Sequence, residues 1–268
     1  MDLTIPSPLQ QLDDERLRRA GVNMYLKRDD LIHRDIPGNK WRKLKYNLAA
    51  TQEQGHNTLL TFGGAYSNHI RATAAAGFYF GFSTIGIIRG EEHDPLNPSL
   101  AQAVKHGMRL TYIDRERYRQ KNSAGFVDQL RARFGEFYLL PEGGSNSLAL
   151  RGCAELVDEI PVEFDVIACA SGTGATLAGI AGRLAPQQKA LGFSALKGGA
   201  FLNEDVHAFQ LATDRVTSNW SIETGYHFGG FARRTPVLDG FIQDFQELHG
   251  IALEWVYVAK MLYGIFAT

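Results

Sequence analysis

The sequence predicts an α/β fold built on parallel sheets, and two observations carry that prediction. Short apolar runs rich in β-branched residues alternate with longer helical patterns through most of the 268 residues. Such alternation is typical of strand–helix–strand units, whose helices cover both faces of a parallel sheet. In addition, three glycine-rich turns directly follow predicted strands, at the edge where open α/β sheets bind ligands. We therefore expect one ligand crevice assembled from separated parts of the chain.

The predicted elements follow one another along the chain. Continuous or alternating apolar patterning marks the strands, and recurrence every three to four residues marks the helices. The predicted strands are 58–62, 83–88, 108–113, 136–140, 165–170 and 190–195. The predicted helices are 68–81, 99–106, 115–134, 147–160, 173–184 and 203–212. A further apolar helical pattern at 256–268 stops without a capping glycine or a polar tail, so we expect that a last C-terminal element is missing from this chain.

Composition and charge exclude several classes of protein. The hydrophobic fraction of 44% and the charged fraction of 21% fit an ordinary globular chain. The 28 Lys and Arg residues nearly balance the 29 Asp and Glu residues, so the net charge of −1 offers no bulk attraction to nucleic acid or to a membrane surface. No apolar stretch approaches the roughly 18 residues of a membrane span. Cys153 and Cys169 lack a paired metal-ligand spacing, and we expect a cytoplasmic protein without a metal centre.

The turn after the predicted strand 165–170 has the chemistry of a phosphate-binding loop. It reads Ser171, Gly172, Thr173, Gly174, Ala175 and Thr176 and leads into an apolar helix. Small residues let backbone N–H groups approach a phosphate, and threonine hydroxyls add donors. The turn lacks the lysine of a nucleotide P-loop and the spacing of the dinucleotide fingerprint. Taken alone, it is equally typical of an ordinary turn.

Two further segments place reactive groups near helix starts. Ser67, Asn68 and His69 follow a glycine-rich turn, where either Ser67 or Asn68 could be a helix N-cap. His69 by itself is more typical of a packed or surface histidine than of a catalyst. Lys40 follows Gly38 and is the best candidate for an amine nucleophile. On composition alone, the lysines and arginines between residues 27 and 45 are expected to form a solvated helix face.

Four motifs together resemble a known enzyme family. They are Tyr25–Leu31 (Tyr-Leu-Lys-Arg-Asp-Asp-Leu), Gly38–Leu44 (Gly-Asn-Lys-Trp-Arg-Lys-Leu), Ser67–His69 and Leu140–Asn146 (Leu-Pro-Glu-Gly-Gly-Ser-Asn). With these motifs the chain resembles the aminocyclopropane-carboxylate deaminase and D-cysteine desulfhydrase family, from about residue 3 to residue 267. The resemblance implies pyridoxal 5′-phosphate as cofactor and the tryptophan-synthase-β fold, also called fold type II.

The resemblance also implies roles for single residues. Lys40 matches the lysine that holds the cofactor aldehyde covalently, and Asn68 matches the amide that hydrogen-bonds the ring 3′-oxygen. Ser67 matches a hydroxyl near the substrate carboxylate, and the Ser171–Thr176 turn matches the phosphate loop. Tyr257 matches a tyrosine that lies against the cofactor ring. Tyr226 resembles a second active-site tyrosine, although tyrosines are also common core residues.

Two departures from the family pattern bear on the reaction. In the deaminases a glutamate follows the ring-facing tyrosine, whereas this chain has Val258 there. An apolar group cannot hold a proton on the pyridine nitrogen, which disfavours ring opening. Desulfhydrase-like members instead use a neutral hydroxyl partner, supplied partly by a Thr-Gly-Gly turn near the C-terminus, and this sequence stops before such a turn.

The resulting expectation is a lyase that performs α,β-elimination on a small amino acid, as a D-cysteine desulfhydrase does, giving pyruvate, ammonia and sulfide. There are two alternatives. One is an enzyme that deaminates 1-aminocyclopropane-1-carboxylate, and the other is a cofactor-binding or inactive truncated relative. By resemblance, residues 43–143 form a small domain, and residues 1–42 with 144–268 form the large cofactor domain, with homodimers as the usual assembly. The sequence does not fix the substrate or its enantiomer.

Overall fold

The computed structural model of the protein describes residues 1–92 and 94–268. Within these residues the chain forms two compact units. The first unit comprises Met1–Ile5 and Asp29–Gly152, and the second comprises Pro6–Arg28 and Cys153–Thr268. Each unit therefore contains residues from two separate stretches of the chain.

Strands and helices alternate as the sequence predicts. The strands are β1 Leu9–Gln11, β2 Tyr25–Lys27, β3 Thr58–Gly64, β4 Ser83–Arg89, β5 Arg109–Ile113, β6 Tyr138–Leu140, β7 Val166–Ser171, β8 Lys189–Ser194 and β9 Trp220–Glu223. The helices are α1 Glu15–Ala20, α2 Asn39–Glu53, α3 Asn68–Phe80, α4 Pro98–Lys105, α5 Arg115–Arg119, α6 Ala124–Phe134, α7 Ser147–Asp158, α8 Ala175–Ala181, α9 Leu202–Ala212, α10 Pro236–His249 and α11 Val258–Ala267. All six predicted strands are present, as β3 to β8.

The first unit is built on a parallel sheet with the strand order β5-β4-β3-β6. Successive side chains of a strand point to opposite faces, and β3 shows the result. Leu59 packs with residues of α2 and α3 on one face. Leu60 and Phe62 pack with residues of β4 and α6 on the other. Both faces are therefore apolar and covered, which is the requirement for a parallel sheet.

The second unit contains a parallel sheet of order β7-β8-β9 and an antiparallel pair, β1 with β2. A separate apolar cluster joins its two stretches of chain, since Leu12 and Leu17 pack with Phe241, Phe245 and Leu262. Among the described residues, the longest apolar helices fall short of what a membrane crossing needs.

Two of the predicted helices differ most from those in the structure. The helix predicted over 115–134 is wrong as a single element, because α5 ends at Arg119 and α6 begins at Ala124. Each part has its own N-cap: Asp114 accepts from the backbone N–H of Glu116 and of Arg117, both at 2.9 Å, and Ser123 caps α6. The helix predicted to begin at residue 173 begins at Ala175 instead, because Gly174 adopts a left-handed conformation with φ of 75°.

Candidate active site

Lys40 is the second residue of α2 and lies in the first turn of that helix. The residue before the helix, Gly38, has φ of 65° and ψ of −149°, a conformation that is essentially restricted to glycine. The Gly38 N–H donates to the backbone oxygen of Asp29 at 2.9 Å. This hydrogen bond connects the start of α2 to the short 3₁₀ turn at Asp29–Leu31. The backbone position of Lys40 is therefore fixed.

A buried ion pair fixes the same turn of α2. Arg42 donates from Nε and from one terminal nitrogen to the two carboxylate oxygens of Asp29, at 2.6 and 2.8 Å. The Arg42 side chain is 4% exposed and that of Asp29 is 10% exposed. Such two-point pairs fix orientation as well as distance. The expectation of a solvated helix face is therefore wrong for Arg42, because its charge is paired inside the first unit.

Helix α7 approaches the first turn of α2 at Gly152. A Cβ atom added at Gly152 would lie 1.9 Å from the backbone oxygen of Arg42. No side chain can occupy that space, because the obstructing atom is main chain and cannot turn away. Glycine at this position lets two helices touch, and it fixes the segment that carries Lys40 from a second side.

A polar network continues along α2 and reaches the glycine-rich turn after β6. Lys43 is buried, and its Nζ donates to the backbone oxygen of Gly143 and contacts Ser145 Oγ, both at 3.1 Å. One turn further on, Asn47 Oδ1 accepts from Asn146 Nδ2 at 2.7 Å. Lys43 is therefore another exception to the solvated face, and it joins two of the motifs noted in the sequence.

Ser67 and Asn68 lie at the start of α3, directly after β3. The structure assigns the N-cap to Ser67, whose Oγ accepts from the Ile70 N–H at 3.3 Å. A Cβ at Gly63 would lie 2.8 Å from Ser67 Oγ, so glycine in the preceding strand makes room for this serine. Asn68, the first helical residue, is half-buried. Its side chain is therefore partly accessible to a ligand.

His69 is a packed histidine, and its neighbours fix its protonation. Thr61 Oγ1 donates to the backbone oxygen of Leu140 at 2.9 Å and lies 2.8 Å from His69 Nε2. Because the threonine has one proton and gives it away, Nε2 carries the proton of the ring. Burial, and then the charges of Lys40 and Lys43, hold the pKa of His69 well below its usual value. The ring is neutral, and its Nδ1 has no hydrogen-bond partner among the described residues.

The Ser171–Thr176 turn belongs to the second unit and joins β7 to α8. Ser171 and Thr176 are buried, whereas Gly172 and Thr173 are half-buried. A Cβ at Gly172 would lie 2.8 Å from the ring of Tyr257, and a Cβ at Gly174 would lie 2.8 Å from Val206. Both glycines are thus needed for close packing. The partly accessible portion of the turn is main chain and a threonine, which are hydrogen-bond donors.

Tyr257 precedes α11 and lies against this turn. The Glu254 carboxylate accepts from the backbone N–H groups of Val256 at 3.0 Å and of Tyr257 at 2.8 Å. This cap fixes the backbone of Tyr257, and the sequence analysis did not identify it. Tyr226 lies elsewhere in the second unit, where its ring packs 6.2 Å from Phe193, centroid to centroid. The ring of Tyr257 thus lies beside Gly172, whereas the ring of Tyr226 lies beside Gly264 of α11.

A buried lysine fixes the loop that packs against Tyr257. The sequence analysis did not identify this lysine. Lys260 on α11 is 1% exposed, and its Nζ donates to the backbone oxygens of His227 at 2.9 Å and Gly230 at 2.7 Å. The loop that it holds carries Phe231, whose ring centroid lies 5.9 Å from that of Tyr257. Burial lowers the pKa of Lys260, while the nearby Glu254 charge acts in the opposite direction. Its only sequence signal is a cation within an apolar helical pattern.

Comparison with known proteins places these residues in an enzyme family. A putative 1-aminocyclopropane-1-carboxylate deaminase of Thermotoga maritima is 38% identical over 189 residues, which are 67% of this chain and 60% of that protein. A bifunctional D-cysteine desulfhydrase/1-aminocyclopropane-1-carboxylate deaminase of Arabidopsis thaliana is 29% identical, over 97% of this chain and 71% of that protein. The crystal structure of an ACC deaminase homologue superposes with a TM-score of 0.87 at 26% identity, covering 100% of this chain and 85% of that one.

These matches confirm the resemblance, the fold class and the cofactor class predicted from the motifs. The chain spans 60% of the length of the Thermotoga protein. The family described as pyridoxal-phosphate dependent enzyme matches residues 1–204, about three quarters of the sequence. The chain therefore belongs to the family of pyridoxal-phosphate dependent enzymes.

Proposed function

We propose that this protein is a pyridoxal-phosphate dependent lyase that removes the β-substituent of a small amino acid, as a D-cysteine desulfhydrase does. The observation that carries the proposal is the position of Lys40. It follows a glycine-specific turn, on a helix fixed by a buried ion pair, and its charge acts on the neutral His69 beside Asn68. A lysine whose backbone is fixed in this way is suited to covalent binding of an aldehyde.

The residues present fit the cofactor by their chemistry. Lys40 supplies the amine for the aldehyde, and the half-buried amide of Asn68 supplies a donor for the ring oxygen. Gly172 and Gly174 keep side chains out of the turn after β7, so that backbone N–H groups and Thr173 can bind a phosphate. Tyr257 offers an aromatic face for a heterocycle. Each of these assignments is part of the proposal.

The bound cofactor would supply an electron sink that makes the α-proton of an amino acid acidic. Lys40 Nζ would be the base that accepts this proton. Ser67 would bind the substrate carboxylate through Oγ. Tyr257 would hold the ring in place and assist proton transfer through its hydroxyl. Loss of sulfide from cysteine followed by hydrolysis gives pyruvate and ammonia.

Ring-opening deamination of 1-aminocyclopropane-1-carboxylate is the second candidate. The name of the Thermotoga relative favours it, whereas the Arabidopsis relative is named for both activities. Val258 argues against it, because the residue after Tyr257 has no side-chain group that can bind a ring nitrogen. Its backbone N–H lies 3.4 Å from the Glu254 carboxylate, within the same helix cap. The third candidate is a protein that binds pyridoxal phosphate without catalysing either reaction. Activity assays distinguish it from the two enzymes.

Two measurements test the proposal. The first is the absorbance of the purified protein with pyridoxal phosphate, for the natural chain, Lys40→Ala and Lys45→Ala. We expect the yellow absorbance of covalently bound cofactor in the natural chain and in Lys45→Ala, which lies on the same helix, and its loss in Lys40→Ala. If Lys40→Ala keeps that absorbance, the assignment of Lys40 is wrong.

The second measurement compares two substrates. We expect sulfide and pyruvate from D-cysteine, and little 2-oxobutyrate from 1-aminocyclopropane-1-carboxylate. The reverse result supports the deaminase, and bound cofactor without either product supports a binder. A homodimer in the cytoplasm completes the proposal, and light scattering of the cofactor-loaded protein measures the oligomeric state.

A further inference from the structure

The first unit carries a basic pocket that the proposed reaction does not use. The pocket has a volume of about 370 Å³ and is lined by Arg89, Arg115, Tyr118, Arg119, Lys121 and Glu142. Ligand pockets of proteins begin at roughly 300 Å³. The space is therefore large enough for a small metabolite.

The strand order explains why these residues meet. Arg89 is the last residue of β4, and Arg115 and Arg119 lie on α5, which directly follows β5. Glu142 follows β6 in the same way. Since parallel strands end at one edge of a sheet, cations from separate segments gather at the carboxyl edge, where open α/β sheets bind ligands.

The pocket has an excess of positive charge. Its single carboxylate, on Glu142, accepts from the Tyr118 hydroxyl at 2.8 Å and lies 3.3 Å from Lys121 Nζ. One carboxylate against four cations leaves a net charge of +3. Among the described residues, neither Arg115 nor Arg119 has an ion pair with a carboxylate. This excess of positive charge favours the binding of an anion.

Tyr118 forms the floor of the pocket and organises two of the cations. The tyrosine is buried, and burial with the adjacent Glu142 charge raises the pKa of its hydroxyl, which stays protonated. The Arg89 guanidinium carbon and Lys121 Nζ lie 5.5 and 5.2 Å from its ring centroid. Both distances are in the range of cation–π attraction. Two of the four cations are thus positioned before any ligand arrives.

We propose that this pocket binds a small phosphate-bearing anion. Arginine matches phosphate because its planar fork donates two parallel hydrogen bonds to two oxygens. Arg89 on β4 and the two arginines of α5 can bind one such group from two sides, and the cavity volume limits the remainder to the size of a metabolite. The residues of this pocket all belong to the first unit, whereas the Ser171–Thr176 turn belongs to the second.

The test is calorimetric titration of the cofactor-loaded protein with inorganic phosphate, pyrophosphate and adenosine monophosphate. Loading with pyridoxal phosphate first keeps these probes from the turn after β7. The variant Arg115→Gln/Arg119→Gln alters two exposed side chains of the pocket. Arg131→Gln/Arg133→Gln on α6 is the control, since it removes the same charge from exposed positions outside the pocket.

We expect at least one probe to bind the natural chain and the control equally. The pocket variant should bind it about tenfold more weakly or worse, because charge-assisted hydrogen bonds are lost. Tighter binding of adenosine monophosphate than of phosphate would identify an organic ester as the ligand, and the reverse would identify free phosphate. Equal binding by the pocket variant, or no binding of any probe at millimolar concentration, would refute the site. Both outcomes are independent of turnover.

Discussion

Each compact unit contains a buried cation that holds a segment of the candidate active site, and the two are compensated differently. Arg42 in the first unit has a full carboxylate partner in Asp29. Lys260 in the second unit donates to two backbone oxygens, and the Glu254 carboxylate near it caps α11 instead. The Arg42–Asp29 pair is neutral as a whole. The charge of Lys260 is instead stabilised by the dipoles of two backbone carbonyl groups.

The two cations differ in the buried group that loses its partner when the cation is removed. Loss of Arg42 leaves a buried carboxylate unpaired, which is among the costliest defects in a folded chain. Loss of Lys260 leaves two carbonyl oxygens without a donor and also removes a desolvated charge. We therefore expect the Lys40 segment to be the more fragile of the two.

The largest effect is expected for Arg42→Met. Breaking the buried pair should lower the free energy of unfolding by about 3 to 5 kcal/mol, measured by urea denaturation. The double variant Arg42→Met/Asp29→Leu should recover much of that loss, because both charges are then gone. A double variant as unstable as the single one would mean that the pair acts through its geometry rather than through its charge.

The second largest effect is expected for Gly152→Ala, which should lower the free energy of unfolding by roughly 3 kcal/mol. The added Cβ would overlap the backbone oxygen of Arg42, and overpacking in a close-packed region is destabilising. Gly240→Ala is the matched control. Gly240 lies in α10, is exposed and has no atom within 4 Å of an added Cβ, so alanine should stabilise the protein by about 0.5 to 1 kcal/mol. Thermal unfolding of both variants measures the difference. Equal melting temperatures would contradict the close contact of α7 with α2.

Lys260→Met should lower the free energy of unfolding by about 1 to 2 kcal/mol, less than Gly152→Ala does. The loss arises because two backbone oxygens in a buried site lose their hydrogen-bond donor. The same variant should weaken binding of pyridoxal phosphate severalfold, since the loop that carries Phe231 supports Tyr257. Absorbance titration measures that affinity. The comparison between the two cations fails if Lys260→Met destabilises the protein as much as Arg42→Met does.

The smallest effect concerns pH and His69. The folded protein keeps this ring neutral with its pKa well below the usual value, while the unfolded chain takes up a proton near pH 6.5. Unfolding therefore becomes easier as the pH falls below about 6.5, by on the order of 1 kcal/mol between pH 6.5 and 5.5. In His69→Gln this part of the pH dependence should vanish. Unfolding free energies of both proteins at the two pH values give the difference, and identical slopes would show that another group is responsible.

Local patterning was enough to predict most of the fold. The strands β3 to β8 are runs rich in apolar and β-branched residues, so their signal lies within each segment. The single helix predicted over 115–134 failed because Ser123, the N-cap of α6, was taken as an interior residue. The short strands β1, β2 and β9 are stabilised by pairing with other strands. Pairing between distant segments leaves little pattern in a stretch of three or four residues.

Candidate site residues stand out in the sequence where a motif carries the chemistry. Lys40 and the glycines of the turn after β7 stand out because few other residue types serve there. The role of Arg42 was not predictable, since an arginine paired inside the protein and one in solvent look alike in a sequence. Lys260 was missed for the same reason. Assignment of Lys40, Ser67, Asn68 and the tyrosines to cofactor or substrate stays a prediction until the variants are measured.

The composition of the second unit also has a consequence for synthesis on the ribosome. Leu12 and Leu17 pack against Phe241, Phe245 and Leu262, which are made more than 220 residues later. At translation rates of about 5 to 20 residues per second, these partners are synthesised roughly 10 to 50 seconds after the two leucines. Residues 29–152 of the other unit are contiguous and can fold meanwhile. Leu12 and Leu17 thus stay without these apolar partners while most of the first unit is already synthesised.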